Sequence, residues 1–141
     1  MLFRSVTDAS LEFDAPLTDT CGSCTACEKA CPAQICGSGK LDGYKCISYL
    51  QQKKGDLTQN EAALIAKSGS AWGCDICQSV CPKNRNLPQT TLPEFTEIDA
   101  FLPPQITKED FCANYKDRAF HWRGYATVRR NLSLLDESAK E

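Results

Sequence analysis

In this chain of 141 residues, Lys+Arg 16 stand against Asp+Glu 18 for a formal net charge of -2, so any nucleic-acid contact requires a local positive patch rather than a global field. The length suits one domain, or a small metal core with an appended helical piece. Ten cysteines would also suit a secreted disulfide framework, but Met1-Leu2-Phe3-Arg4-Ser5-Val6-Thr7-Asp8 has no apolar signal run and no stretch approaches the roughly 18 apolar residues of a membrane span; a soluble, cytoplasmic protein in a reducing compartment is expected.

Residues 3–13 alternate only partly, with Val6, Leu11 and Phe13 between polar residues, which suggests a short strand. Asp14-Ala15-Pro16-Leu17-Thr18-Asp19 reads as a turn-rich lead-in, closing a segment of residues 1–20.

Next comes Cys21-Gly22-Ser23-Cys24-Thr25-Ala26-Cys27-Glu28-Lys29-Ala30-Cys31-Pro32, four thiols spaced x2, x2, x3 and closed by proline. Three thiols at two-residue intervals wrap one cubic iron-sulfur cluster, and the x3 step turns the fourth toward a second one. A short helix over 25–30 is expected, ended by Pro32. The stretch 33–43 contains three glycines and reads as loop or short hairpin. Cys46-Ile47-Ser48-Tyr49-Leu50 then opens a short helix that Gly55 terminates. Thr58-Gln59-Asn60-Glu61 has the capping-box pattern and Gly69 supplies a stop, so a helix is predicted over 58–68, with Ala62, Leu64, Ile65 and Lys67 at packed-surface spacing. Trp72 and Gly73 lead into Cys74-Asp75-Ile76-Cys77-Gln78-Ser79-Val80-Cys81-Pro82; the tryptophan is either a screen over a cluster or a core residue.

The two motifs supply seven sulfurs, whereas two four-thiolate clusters need eight, and Cys46 completes the count. Crossing the fourth ligands gives Cys21, Cys24, Cys27 and Cys81 for one 4Fe-4S cluster and Cys31, Cys46, Cys74 and Cys77 for the other. The 27 residues between Cys46 and Cys74 must loop out and return. Pairs of cysteines two residues apart hold little apolar side chain between them, so without metal the chain is expected to be largely unfolded.

Residues 87–106 are proline-rich and aperiodic, and read as a connector. Thr107-Lys108-Glu109-Asp110 opens a helix with Phe111 and Tyr115 on one face. A last helix over about 123–135 places Tyr125, Val128, Leu132 and Leu135 at helical spacing, with Arg129 and Arg130 outward and residues 136–141 frayed. The fold class is therefore mostly α with little β: a bacterial-ferredoxin-like dicluster core over 21–86 and a helical C-terminal extension over 107–141.

Zinc ribbons also use paired Cys-x2-Cys knuckles, but they do not call for an x2, x2, x3 quartet with two Cys-Pro endings. A thioredoxin-type pair needs one isolated Cys-x2-Cys. Cys36 and Cys112 are left over and read as small buried hydrophobes. His121, the only histidine, reads as an ordinary surface or packed imidazole. Lys116, Arg118, His121, Arg123, Arg129 and Arg130 concentrate positive charge, as a solvated helix face or as phosphate contacts on RNA.

Cys21-Gly22-Ser23-Cys24-Thr25-Ala26-Cys27, Lys45-Cys46-Ile47-Ser48-Tyr49-Leu50 and Gly73-Cys74-Asp75-Ile76-Cys77-Gln78-Ser79-Val80-Cys81-Pro82 resemble the iron-sulfur domain of epoxyqueuosine reductases. The resemblance covers residues 4–86 and, more loosely, Trp122-Arg123-Gly124 and Arg129-Arg130-Asn131-Leu132. It implies the same eight ligands, and electron transfer through two 4Fe-4S clusters to cobalamin for epoxide reduction on tRNA, the last step of queuosine synthesis. It also implies that residues 1–20 are the remnant of a preceding domain, with the cobalamin site and its catalytic acid supplied elsewhere. The chain alone then has no catalytic residue. Its expected partners are a redox donor protein, a cobalamin-binding domain protein and tRNA. The alternative is a stand-alone dicluster ferredoxin-like carrier without a tRNA substrate.

Overall fold

The computed structural model describes residues 7–16, 18, 20–37, 40–96 and 102–138. Its elements in order are α1 (Ala26–Ala30), β1 (Cys36–Gly37), β2 (Lys40–Leu41), α2 (Ile47–Gln52), α3 (Gln59–Ser68), α4 (Ile76–Ser79), α5 (Pro93–Thr96), α6 (Lys108–Asn114) and α7 (Tyr125–Ser138), with short 3-10 turns at Gly43–Lys45, Pro82–Asn84 and His121–Arg123. The strands form one antiparallel hairpin pairing Cys36 with Leu41 and Gly37 with Lys40. A mostly helical chain with little strand is thus what folds. No helix among the described residues is long and apolar enough to cross a membrane.

Local chemistry explains the helix ends. Thr58 Oγ1 accepts from the Glu61 N–H and Glu61 Oε2 accepts from the Thr58 N–H, so each satisfies a backbone donor that the first turn of α3 leaves open. Gly69, at φ +68°, closes α3 in the left-handed region that side chains other than glycine rarely adopt. Thr107 caps α6 by accepting from the Asp110 N–H.

Two apolar clusters form the core. Ile106, Phe111, Val128 and Leu132 join α6 to α7, with Trp72, Phe120 and Tyr125 packed against them. Ile47, Leu50 and Ile65 join α2 to α3, with Ala33, Cys74 and Leu134 alongside. Trp72 meets Phe120 edge-on at 6.3 Å, so it belongs to the core. His121 lies parallel to Phe111 at 5.1 Å, the packed imidazole of the two readings.

A polar seam links the clusters through α7. Asn131, wholly buried, donates from Nδ2 to Gln51 O at 2.8 Å and Ala71 O at 2.9 Å. Arg130 Nη1 donates to Lys53 O and Gly55 O, while its Nε and Nη2 hold Asn131 Oδ1. Gln51 Nε2 donates to Ser70 O at 2.6 Å.

Several expectations need correcting. Arg130 does not point outward: the unpaired carbonyls where α2 ends draw it inward, and Arg129 is engaged with Ser133 and Gln105. Residues 136–138 continue α7 instead of fraying, and residues 139–141 of that expectation lie outside the described residues. Residues 7–13 form no strand, having no partner segment to pair with among the described residues; residues 3–6 of that expectation lie outside them. Cys112 is exposed rather than buried, because α6 turns Phe111 to the core and the next residue away from it.

Candidate metal centre

Each cysteine of the two motifs is placed by a tight local structure. Gly22 takes φ +53° and the Cys24 N–H bonds Cys21 O at 3.0 Å, which folds the first two thiols into one turn. Cys27 lies within α1, and Cys31 caps its end with its N–H on Cys27 O. Cys77 lies in α4, preceded by Cys74 and followed by Cys81 at the start of the 3-10 turn opened by Pro82. α1 and α4 pack directly together, which joins the motif at 21–32 to the one at 74–82 across the chain.

Cys46 is the N-cap of α2, with its carbonyl accepting from the Leu50 N–H at 2.9 Å. Its helix is anchored by Ile47 and Leu50 in one apolar cluster, the same cluster that Cys74 leans on. The seam from Asn131 ties the end of α2 to Ala71, three residues before Cys74. The 27-residue excursion between Cys46 and Cys74 therefore returns to its start because α7 pins both ends.

The electrostatics report which thiols are neighbours. Burial pushes the Cys74 thiol up, and the Cys46, Cys77 and Cys31 thiols add to the rise against a lowering N–H at Ile76. For Cys31 burial is again the largest influence and raises the thiol. Hydrogen bonds from the Ile35, Ala33 and Gln34 backbone and from Cys36 outweigh it, and hold Cys31 below its ordinary value. Gln34, at φ +49°, turns the backbone that supplies these donors. Cys36 is pushed up to about 11 by burial first, then by Cys31, with smaller contributions from Cys77 and Cys27.

Cys21, Cys24 and Cys27 share an open cavity of about 520 Å3 with Glu28, Cys36 and Leu41. Exposure differs among the thiols: Cys21 and Cys24 are exposed, whereas Cys27, Cys31, Cys46, Cys74, Cys77 and Cys81 are half-buried. Among the described residues, no three His, Cys, Asp or Glu side chains converge on a point where one metal ion would sit. An all-thiol donor set, backbone N–H groups aimed at sulfur and a cavity walled by the four thiols of Cys21, Cys24, Cys27 and Cys36 fit the chemistry of an iron-sulfur cluster, although Cys81 is not on that wall.

Sequence reasoning placed Cys36 among packing residues, but the hairpin brings it between thiols of both motifs. It also missed Gln51, Arg130 and Asn131 as positioning residues; a buried Asn within an apolar helical face was the available signal.

Comparison with known proteins agrees with this geometry. Residues 20–84 match the family model of the 4Fe-4S double cluster binding domain. The epoxyqueuosine reductase of Bacillus anthracis is 34% identical over 99% of this chain and 38% of its own length. That of Cellulophaga algicola is 36% identical over 92% of this chain and 44% of its own length. Among solved structures, the Bacillus subtilis epoxyqueuosine reductase aligns with TM-score 0.73 at 32% identity, covering 89% of this chain and 35% of that one. An epoxyqueuosine reductase with an epoxyqueuosine-modified tRNA-Tyr stem loop aligns with TM-score 0.75 at 35% identity, covering 88% and 34%. The chain thus spans well under half the length of the relatives it matches.

Proposed function

The chain contains a 4Fe-4S double cluster binding domain and is homologous, nearly end to end, to one part of epoxyqueuosine reductases; on that premise we propose that it is the electron-transfer part of an epoxyqueuosine reductase-like enzyme of tRNA queuosine modification. Cys21, Cys24, Cys27 and Cys81 hold one 4Fe-4S cluster, and Cys31, Cys46, Cys74 and Cys77 hold the other. When bound, such clusters take up and release single electrons. The carrying observation is the packing of α1 against α4, which joins the two thiol motifs, together with the apolar cluster on which both the Cys46 helix and Cys74 rest.

The residues prepare the two sites differently. Exposed Cys21 and Cys24 leave the first site open to a redox donor protein, while the half-buried second quartet backs onto Ile47, Leu50 and Ile65. Backbone N–H groups at Ala33, Gln34 and Ile35 and the Cys36 thiol donate toward the Cys31 sulfur, and hydrogen bonds to sulfur are among the factors that set the potential of such a cluster. A cobalamin held by another domain of the enzyme would supply the reducing centre for the epoxide, and the thiols of this chain would hold the clusters that feed it electrons.

Anaerobic iron and sulfide analysis of the purified chain should find about eight irons, by the ligand count of two four-thiolate clusters; a folded, iron-free chain defeats the proposal. Cys46→Ala should abolish the electron paramagnetic resonance signal of the second cluster and spare the first. Equal loss of both would refute the ligand assignment. A chain that holds both clusters but binds neither a cobalamin-domain protein nor tRNA would instead be a free-standing ferredoxin-like carrier.

A further inference from the structure

A second depression of about 520 Å3 runs along α2 from Cys46 to Lys54, with Cys46 at one end of its wall and the cations at the other. Ser48, Tyr49, Lys53, Lys54 and Arg123 line it, and among the described residues its lining carries no carboxylate. Lys53 is already paired with Glu61 at 2.7 Å. Lys54 is exposed, and no acidic partner reaches it among the described residues. The Arg123 Nε is buried with no hydrogen-bond acceptor. A desolvated guanidinium N–H left unpaired is costly, and an incoming anion would satisfy it.

Aromatic rings flank these cations. The Arg123 guanidinium carbon sits 3.8 Å from the centre of the Trp122 ring, which fixes its plane, and Trp122 remains 63% exposed. Tyr49 lines the depression and meets the exposed Tyr44 edge-on at 5.5 Å. A ring-stacked guanidinium and an exposed lysine beside exposed aromatic rings are a combination that holds a nucleic-acid strand, phosphate on the charge and base on the ring.

We propose that this depression seats a backbone phosphate of the RNA, with Lys54 and Arg123 as its ligands and Trp122 as the stacking face for a neighbouring base. The inference rests on the reading that an RNA is the substrate of the complete enzyme, and assigns to this chain a share of binding it. It also narrows the positive segment of the sequence: His121 packs on Phe111, and Arg129 and Arg130 are engaged within the fold, so Arg123 is the member of that group that reaches the depression.

The test titrates a fluorescent tRNA-Tyr stem loop into the iron-loaded full chain over a range of salt, with iron content measured for every variant. Lys54→Ala and Arg123→Gln should each weaken binding and lower the slope of log affinity against log salt by about one. Trp122→Ala should weaken it about tenfold with the slope unchanged, and Lys108→Ala, at the exposed start of α6, should change nothing. Because Lys54 is exposed, its variant keeps the test valid even if Arg123→Gln fails to fold. Wild-type binding that ignores Lys54 and Arg123 overturns the pocket and leaves the proposed function standing, as does an iron-loaded chain that binds no RNA but binds a cobalamin-domain protein, whereas a chain that binds neither overturns both. Variants that keep RNA affinity but lose reduction by an acidic flavodoxin would give the depression to a protein donor, and also overturn it.

Discussion

The segments that carry the thiols and the segments behind them are held together by different forces. Among the described residues, α1, α4 and the hairpin contain no buried side chain, and Cys21 and Cys24 stand in solvent. α2, α3, α6 and α7 contain nearly the whole buried set, from Ile47 to Leu132, together with Gln51, Thr127 and Asn131. An apolar side chain contributes roughly 1.5–3 kcal/mol when fully buried, so the helical part has its own source of stability and the thiol loops have almost none. Cys46 and Cys74 sit on the boundary, since they belong to segments that the helical part anchors.

Removing the metal should produce the largest effect and divide the molecule along that boundary. In a chelator-stripped chain, hydrogen exchange followed by mass spectrometry should show residues 21–36 and 76–84 losing all protection, while α3 and α7 keep theirs. This narrows the expectation of a largely unfolded apo chain to the region without a core. Uniform loss of protection over the whole chain would break the comparison, because it would mean that the helices also depend on the clusters.

A smaller effect should come from the seam. Asn131→Leu leaves the buried carbonyls of Gln51 and Ala71 without their donor. At about 1–3 kcal/mol for each such group, urea unfolding should show a loss of roughly 2–6 kcal/mol. The two carbonyls lie between the segments bearing Cys46 and Cys74, so the second cluster should be lost to chelator faster in this variant and the first at its usual rate. Equal acceleration of both losses would show that the seam does not address the second site in particular.

The sequence made the covalent spacing legible, and with it α1, α3 and the pairing of two thiol motifs, because ligand spacing, the Thr58–Glu61 capping box and Gly69 act within a few residues of each other. What depends on distant contacts was not legible. Arg130 reaches carbonyls 75 and 77 residues away, so helical periodicity alone set it on the outer face. Cys36 looked like packing because nothing local shows that the hairpin turns it toward Cys31 and Cys77. The depression around Arg123 joins the start of α2 to the turn before α7, two segments that the sequence keeps far apart.

The smallest effect concerns the helical part alone. Thr58→Ala removes the hydroxyl that accepts from the Glu61 N–H at 3.3 Å, and should lower stability by about 1 kcal/mol at neutral pH with both cluster signals unchanged. The partner Glu61 carboxyl is held below its ordinary value, first by the hydrogen bond from Lys53 and then by the Thr58 N–H. A carboxyl depressed in the folded state adds stability above its unfolded value and gives it up as pH falls through the folded one, so Glu61→Gln should be destabilising at pH 7 and indistinguishable from wild type well below about pH 4. Urea titrations of metal-stripped protein at the two pH values isolate this term, since α3 should remain folded there. If either substitution instead released iron, α3 would be supporting the thiol loops directly, and the boundary between the two regions would have to move.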